Sequence, residues 1–355
     1  MIPPKLLGKI LPESLKIRLR PALQRFYKWQ IDFQADCISY LARPLKKQDP
    51  LGMELFARLE SHGLHVLPVN YYSPVPDTIE LRNGHQGWRQ EIDLSDICFN
   101  LEEQRRLGEI FAGYAPEFSQ LPDVEHLRQR GYGLGYAPIE SLLLHCFVRH
   151  FRPQRIIEVG SGVSTVFEGH AISLNAGDSA SPCSLTCIEP CPSDLLRSIP
   201  QVTEIIAKKV QELPSSFFNV LEAGDILFID SSHSVKVGSD VNYLFLQVLP
   251  WLRAGVLIHI HDIVFPYLAP PDVWLFERLM FWQENVLLKA LLSGNQDFEV
   301  IYCSSYLHHK DPAALRATFP QYNSQTHYPQ SIWLRKRTQP RASRQQTPPP
   351  SPTSC

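Results

Sequence analysis

From residue 155 to 335 the chain alternates short β-branched runs with longer amphipathic stretches, the rhythm of an α/β sheet protein. Ile156, Ile157 and Val159 carry the first predicted strand, and further strands are predicted over 185–188, 203–207, 226–229, 256–260, 298–303 and 331–335. Helical spacing falls between them at 166–174, 193–198, 239–249 and 274–292, with another helix over 139–149 ahead of the first strand. The strands are almost wholly apolar rather than alternating, which suits a parallel sheet covered on both faces. The pattern therefore predicts a doubly wound α/β sheet of seven strands.

Polar residues stand where these strands end: Glu158, Glu189, Asp230 and the pair His261 and Asp262. Ligands of such sheets bind beyond the carboxyl ends of the strands. Gly160 and Gly162 follow Glu158, where the backbone must turn tightly and a ligand can come close, and Ser164 and Thr165 stand ready to cap the next helix. A nucleotide-like ligand would sit against that helix start; a bare strand-to-helix turn is the alternative. A dinucleotide fingerprint would place glycine where Thr165 stands, and its ribose-binding acid would come sooner than Glu189.

Asp230, His233, His261 and Asp262 form a second constellation, because the fourth and fifth strands of this topology are expected to be neighbours. Carboxylates there suit Mg²⁺ or Mn²⁺, and the histidines admit a softer ion. The competing reading gives Asp230 a capping or cofactor-contacting role and packs His259 within its strand.

These residues carry a resemblance. E-V-G-S-G-V-S at 158–164, C-I-E-P at 187–190, F-I-D-S-S-H at 228–233 and H-I-H-D at 259–262 resemble class I S-adenosylmethionine-dependent methyltransferases. More narrowly they resemble a bacterial subfamily related to cephalosporin-hydroxylase-like and macrolide sugar O-methyltransferases, over about residues 130 to 335. The resemblance implies a Rossmann-like, seven-stranded, mostly parallel sheet with its last strand antiparallel. It implies that Glu158, Gly160, Gly162, Ser164 and Asp230 line the cofactor site, with Glu189 accepting from the ribose hydroxyls as an acceptor-only carboxylate can. It further implies a metal site at Asp230, His261 and Asp262, although His261 stands where the relatives' pattern has an acid.

The activity expected on this basis is O-methylation of a small-molecule, sugar-linked or lipid-linked hydroxyl. The cofactor's methyl is already activated, so the protein must align the hydroxyl and ease its deprotonation. Asp230 with His233 or His261 as general base would do this, or a divalent metal would. A metal-dependent hydroxylase-like enzyme and a catalytically degenerate scaffold are the alternatives.

Composition fits that class. A 44% hydrophobic share in 355 residues supplies a full core plus an accessory region, and a net charge of −2 gives no reason to expect nucleic acid. Cys183, Cys187 and Cys191 repeat every four residues, but with Cys187 inside a strand the three sulfurs cannot converge. Cys98, Cys146 and Cys303 read as core residues, Cys37 and Cys355 stand alone, and no signal-peptide pattern is present, so reduced thiols in a cytosol are expected. Residues 1–50 form a basic segment whose helix could touch an anionic membrane surface, with Pro12 and Pro21 expected to break it. Residues 51–135 are expected to build the acceptor side, with Trp88, Tyr114, Tyr132 and Tyr136 either walling a substrate or packing as core, and Glu140 reaching the cofactor. Residues 136–336 make the cofactor domain, and the proline-rich tail 337–355 is expected to be disordered.

Overall fold

The run Arg155–Val159 is β-branched, apolar and bounded by a glycine turn, and it forms the central strand β1. β2 is Ser184–Ile188, β3 Val202–Ile206, β4 Ile226–Ile229, β5 Leu257–His261, β6 Phe298–Cys303 and β7 Ser331–Lys336. The computed structural model describes residues 13–46, 50–84, 86–133, 135–178 and 182–337, with side chains from residue 24 onward. The expected disordered tail, Cys355, Lys5 and Lys9 lie outside the described residues.

The strand order is β3-β2-β1-β4-β5-β7-β6. β1 to β5 run parallel, and β7 inserts antiparallel between β5 and β6, as the resemblance implied for the last strand. Strands β4 and β5 are neighbours, Phe228 opposite His259. Side chains alternate between two cores: Ile157, Val159, Leu227 and Ile260 enter one, and Ile156, Phe228, Leu257 and Trp333 the other. The helices Pro138–Phe151 and Val163–Gly177 cover the second core, where Phe147 stacks on Trp333 at 3.7 Å between ring centroids.

Two compact units divide at Gly84, so residues 85–135 belong with the sheet rather than apart from it. Phe111, from the helix Leu101–Ala112, lies fully buried against Phe147 and Tyr302.

Four expectations are corrected. The helix Glu13–Leu41 passes through Pro21 unbroken; a proline removes one backbone donor and its ring bends a helix, and the turns on either side carry this one across. The expected helix over 274–292 is instead a π-turn Val273–Glu277, an irregular stretch with Leu279 at φ +56°, and a helix Glu284–Leu292. It is interrupted because the amides of Gln283 and Glu284 turn to donate to the carbonyl of His233. Glu140 accepts from Ser304 Oγ, Ser331 Oγ and the Gln330 amide, so it ties the Pro138–Phe151 helix to β7 and has no reach left for a cofactor. Cys98 is exposed rather than core, whereas Cys146 and Cys303 are buried as expected.

Candidate active site

The glycine turn after β1 is shaped by two close approaches. Gly160 has φ +82°, and a Cβ there would fall 1.9 Å from the Asp230 carbonyl oxygen. A Cβ on Gly162 would fall 2.5 Å from the carbonyl of Tyr132. Only glycine fits either place. The Gly160 amide donates to Ile188 O and the Asp230 amide to Val159 O, which holds the ends of β1, β2 and β4 level.

Ser164 and Thr165 lie in the first helical turn, and Thr165 caps it through the Gly162 amide as expected. Their hydroxyls donate to the two oxygens of Glu158, at 2.6 and 2.7 Å, and Thr165 Oγ1 also accepts from the Gly162 amide. Glu158 is fully buried, and Cys187 Sγ lies 3.3 Å from it. The expected cofactor-lining role is corrected: Glu158 braces the turn from behind, because its oxygens are taken by the Ser164 and Thr165 hydroxyls and the Cys187 thiol. Burial pushes its carboxyl up to about 7 against those hydrogen bonds.

In front of the turn lies a cavity of about 160 Å³, lined by Gly160, Ser161, Gly162, Val163 and Ser164, by Tyr132, Gly133, Gly135 and Tyr136 opposite, and by Glu189 and Asp230. Glu189 accepts from the amides of Cys191 and, at 3.4 Å, Ser161, which aims a half-buried acceptor at the rim. Ser161 Oγ and the Tyr136 hydroxyl are buried with no hydrogen-bond partner among the described residues. Such orphaned groups beside a helix start fit a polar ligand. Of the four aromatic candidates, Tyr132 and Tyr136 line this cavity, while Trp88 lies against Phe276 and Tyr114 under Arg149. A shallower depression of about 670 Å³ at residues 290–297 gathers no such convergent groups.

Asp230 joins this cavity to the second constellation. His233 Nε2 lies 3.3 Å from both Asp230 Oδ1 and Asp262 Oδ2, and its Nδ1 lies 2.8 Å from Glu284 Oε2. His233 and Asp262 both have φ +55°, a conformation costing about 1–3 kcal/mol when a side chain is present. Surrounding contacts hold them in it. Ser232 is tied to Asp240 through its amide and hydroxyl, and Trp282 covers the imidazole at 4.5 Å. Asn285 accepts from the Val264 amide and donates to the Asp262 carbonyl.

Burial alone would pull His233 down, but hydrogen bonds to Asp230 and Glu284, with the charges of Glu284 and Asp262, hold it well above its usual value. Burial likewise opposes the ionised form of Asp230, yet the charge of His261 and the His233 hydrogen bond keep it below the ordinary carboxylate range. Burial pushes Asp262 up to about 6, with His261 and His233 pulling the other way.

Asp230, His233 and Asp262 each offer one ligand atom, all within 4.8 Å of one another. His261 is not in that set: its ring turns to Tyr136 at 4.6 Å and its Nε2 lies 3.6 Å from Asp262 Oδ1. The expected metal trio of Asp230, His261 and Asp262 is thus corrected to one with His233, because β5 alternation sends His261 behind the sheet edge with His259. His259 packs on Phe228 at 4.3 Å, as a strand residue should. The sequence did not single out Glu284, Asn285 or Trp282. Glu284 is 51 residues from His233, and only the broken helix brings them together.

A family described as a methyltransferase domain matches residues 157–263, the span from β1 to just past Asp262. An uncharacterized protein of Archaeoglobus fulgidus is 31% identical over 165 residues, covering 44% of this chain and 73% of that protein. Among solved structures, the O-methyltransferase TomG of Streptomyces achromogenes, in complex with SAM, has a TM-score of 0.41 and 16% identity over 66% of this chain and 99% of its own. An O-methyltransferase of Bacillus cereus in complex with SAH has a TM-score of 0.39 and 14% identity over 66% of this chain and 91% of its own. The methyltransferase-domain match spans residues 157–263, the stretch that holds the glycine turn, the rim carboxylate and Asp230, and the chain is a class I S-adenosylmethionine-dependent methyltransferase.

Proposed function

We propose that the chain methylates a hydroxyl group of a small-molecule acceptor, which is seated at the corner formed by Asp230, His233 and Asp262. The observation that carries this reading is the position of Asp230, which lines the glycine cavity and also pairs with His233. The methyl donor's pocket and a proton-accepting cluster therefore meet at one side chain.

The residues present fit the cofactor. Gly160 and Gly162 let the backbone approach it, Glu189 offers acceptors to a diol, and Ser161 Oγ and the Tyr136 hydroxyl are free to bond it. The cavity is smaller than the roughly 300 Å³ of sites that enclose a whole ligand, so it would hold one end of the molecule. When bound, the cofactor supplies a sulfonium methyl already activated for transfer. The Asp230, His233 and Asp262 group would hold the acceptor hydroxyl and take up its proton. Asp262, with its raised carboxyl, is the better base of the two acids, and His233, fixed by Glu284, balances their charge. His261 acts on this corner through its charge beside both acids.

A divalent ion also fits Asp230, His233 and Asp262 by donor chemistry, two hard oxygens and an imidazole nitrogen. Held there, it would supply charge stabilisation to the deprotonated acceptor. The hydroxylase-like alternative draws on the same three residues and requires a redox-active metal and no methyl transfer.

Calorimetric titration with S-adenosylhomocysteine, repeated with Mg²⁺ and with EDTA, tests the reading. Binding is expected to weaken at least about tenfold in Glu189→Ala, the loss of one charge-assisted acceptor. In Asp230→Asn, turnover on an accepted hydroxyl should fall much further than cofactor affinity. Equal affinity of the wild type and Glu189→Ala would overturn the cofactor assignment.

A further inference from the structure

Among its described side chains, the unit Met1–Gly84 is almost all surface. Of the 25 exposed large apolar side chains among the described residues, 16 lie in it, and Leu45 is its one buried large apolar side chain. Soluble surfaces scatter such residues singly; a continuous run of them marks a docking face.

The run follows the helix Glu13–Leu41. Phe26, Trp29, Phe33, Cys37 and Tyr40 recur at helical spacing along one side, and Phe26, Trp29, Phe33 and Tyr40 are 49%, 60%, 56% and 64% exposed. Trp29 lies 6.0 Å from Phe26 and stacks on Phe33 at 5.8 Å, making one aromatic ridge. The helix has 29 residues and so runs about 44 Å. Of the two prolines expected to break this face, Pro21 lies within the continuous helix and Pro12 lies outside the described residues.

Charge names the occupant. Residues 1–47 hold ten Lys and Arg against three Asp and Glu, whereas the whole chain is −2. The segment is thus about +7 and the remainder about −9. Two copies meeting through this segment would bring like charges together. An acidic bilayer surface offers the opposite charge and an apolar boundary for aromatic side chains, each basic residue near it contributing about 1 kcal/mol. No helix among the described residues is long and apolar enough to cross a membrane, which leaves an orientation in the plane of the interface.

We propose that the helix Glu13–Leu41 docks this enzyme on an anionic membrane surface, with Phe26, Trp29, Phe33 and Tyr40 at the acyl boundary. The proposal does not depend on which acceptor is methylated.

The test is co-sedimentation of the full chain with vesicles of phosphatidylcholine alone and with about one third phosphatidylserine, at low and high salt. Binding is expected on the anionic vesicles only, weakening as salt screens the charge. Trp29→Ser with Phe33→Ser should lower it roughly tenfold through lost apolar burial, and Arg25→Glu with Lys28→Glu should lower it at low salt. Circular dichroism melts check that both pairs fold, and the charge pair carries the test if the aromatic pair does not. Binding that ignores lipid charge would overturn the proposal, as would no binding. A dimer in sedimentation velocity that the aromatic pair abolishes, without vesicle binding, would assign the ridge to a second copy and overturn it also.

Discussion

The contact between His233 and Glu284 should behave as one energetic unit. His233 is 6% exposed and Glu284 is 1% exposed, the bond between them is 2.8 Å, and Glu284 Oε1 has no partner among the described residues. The imidazolium is therefore the main offset to burying this carboxylate. A charge-assisted bond contributes about 1.5–3 kcal/mol, and stranding one member of a buried pair costs about 3–5 kcal/mol. His233→Ala and Glu284→Ala should each destabilise by about the larger amount. The double variant should fall short of their sum by at least about 1.5 kcal/mol. Urea denaturation of the four proteins at one pH measures this directly.

The pH dependence has a definite sign. The folded-state pKa of His233 is raised, so the stability it contributes is complete below its unfolded value, near 6.5, and is lost as pH climbs through the raised value. The coupling should be largest in mildly acidic buffer and shrink in alkaline buffer. Additivity within about 0.5 kcal/mol at mildly acidic pH would refute the pairing.

Two further outcomes follow from the geometry. Gly160→Ala places a Cβ on the Asp230 carbonyl at positive φ, a strain of at least about 1–2 kcal/mol, and should weaken S-adenosylhomocysteine binding about tenfold or more in calorimetry; affinity within twofold of wild type would contradict the close approach. A thiol reagent applied to the folded protein should label Cys37, Cys98 and Cys191 before Cys146, Cys187 and Cys303, as read by peptide mass mapping, because burial both shields the latter three and pushes their thiols up.

The strands were legible because each is a short apolar run closed by a turn, and all seven appear within a residue or two of their expected places. Local chemistry also fixed the glycine turn, where Gly160 answers a backbone requirement visible in any strand-to-helix turn of this kind. Helix periodicity misled over 274–292, since apolar spacing continues there while the backbone leaves the helix to meet His233. Pro21 misled in the opposite direction: a local rule predicted a break, and the helix continues through it.

What the sequence by itself determined was the order of strands and helices, the glycine turn and the gathering of Glu189, Asp230, His233 and Asp262 at one sheet edge, because these follow from short-range pattern and a fixed topology. Only the tertiary structure decided which way each side chain faces. Strand alternation turned Glu158 and His261 away from the front of the site, and a distant helix start brought Glu284 onto His233. Facing depends on pleat and packing, and partners 51 residues apart leave no mark on local spacing.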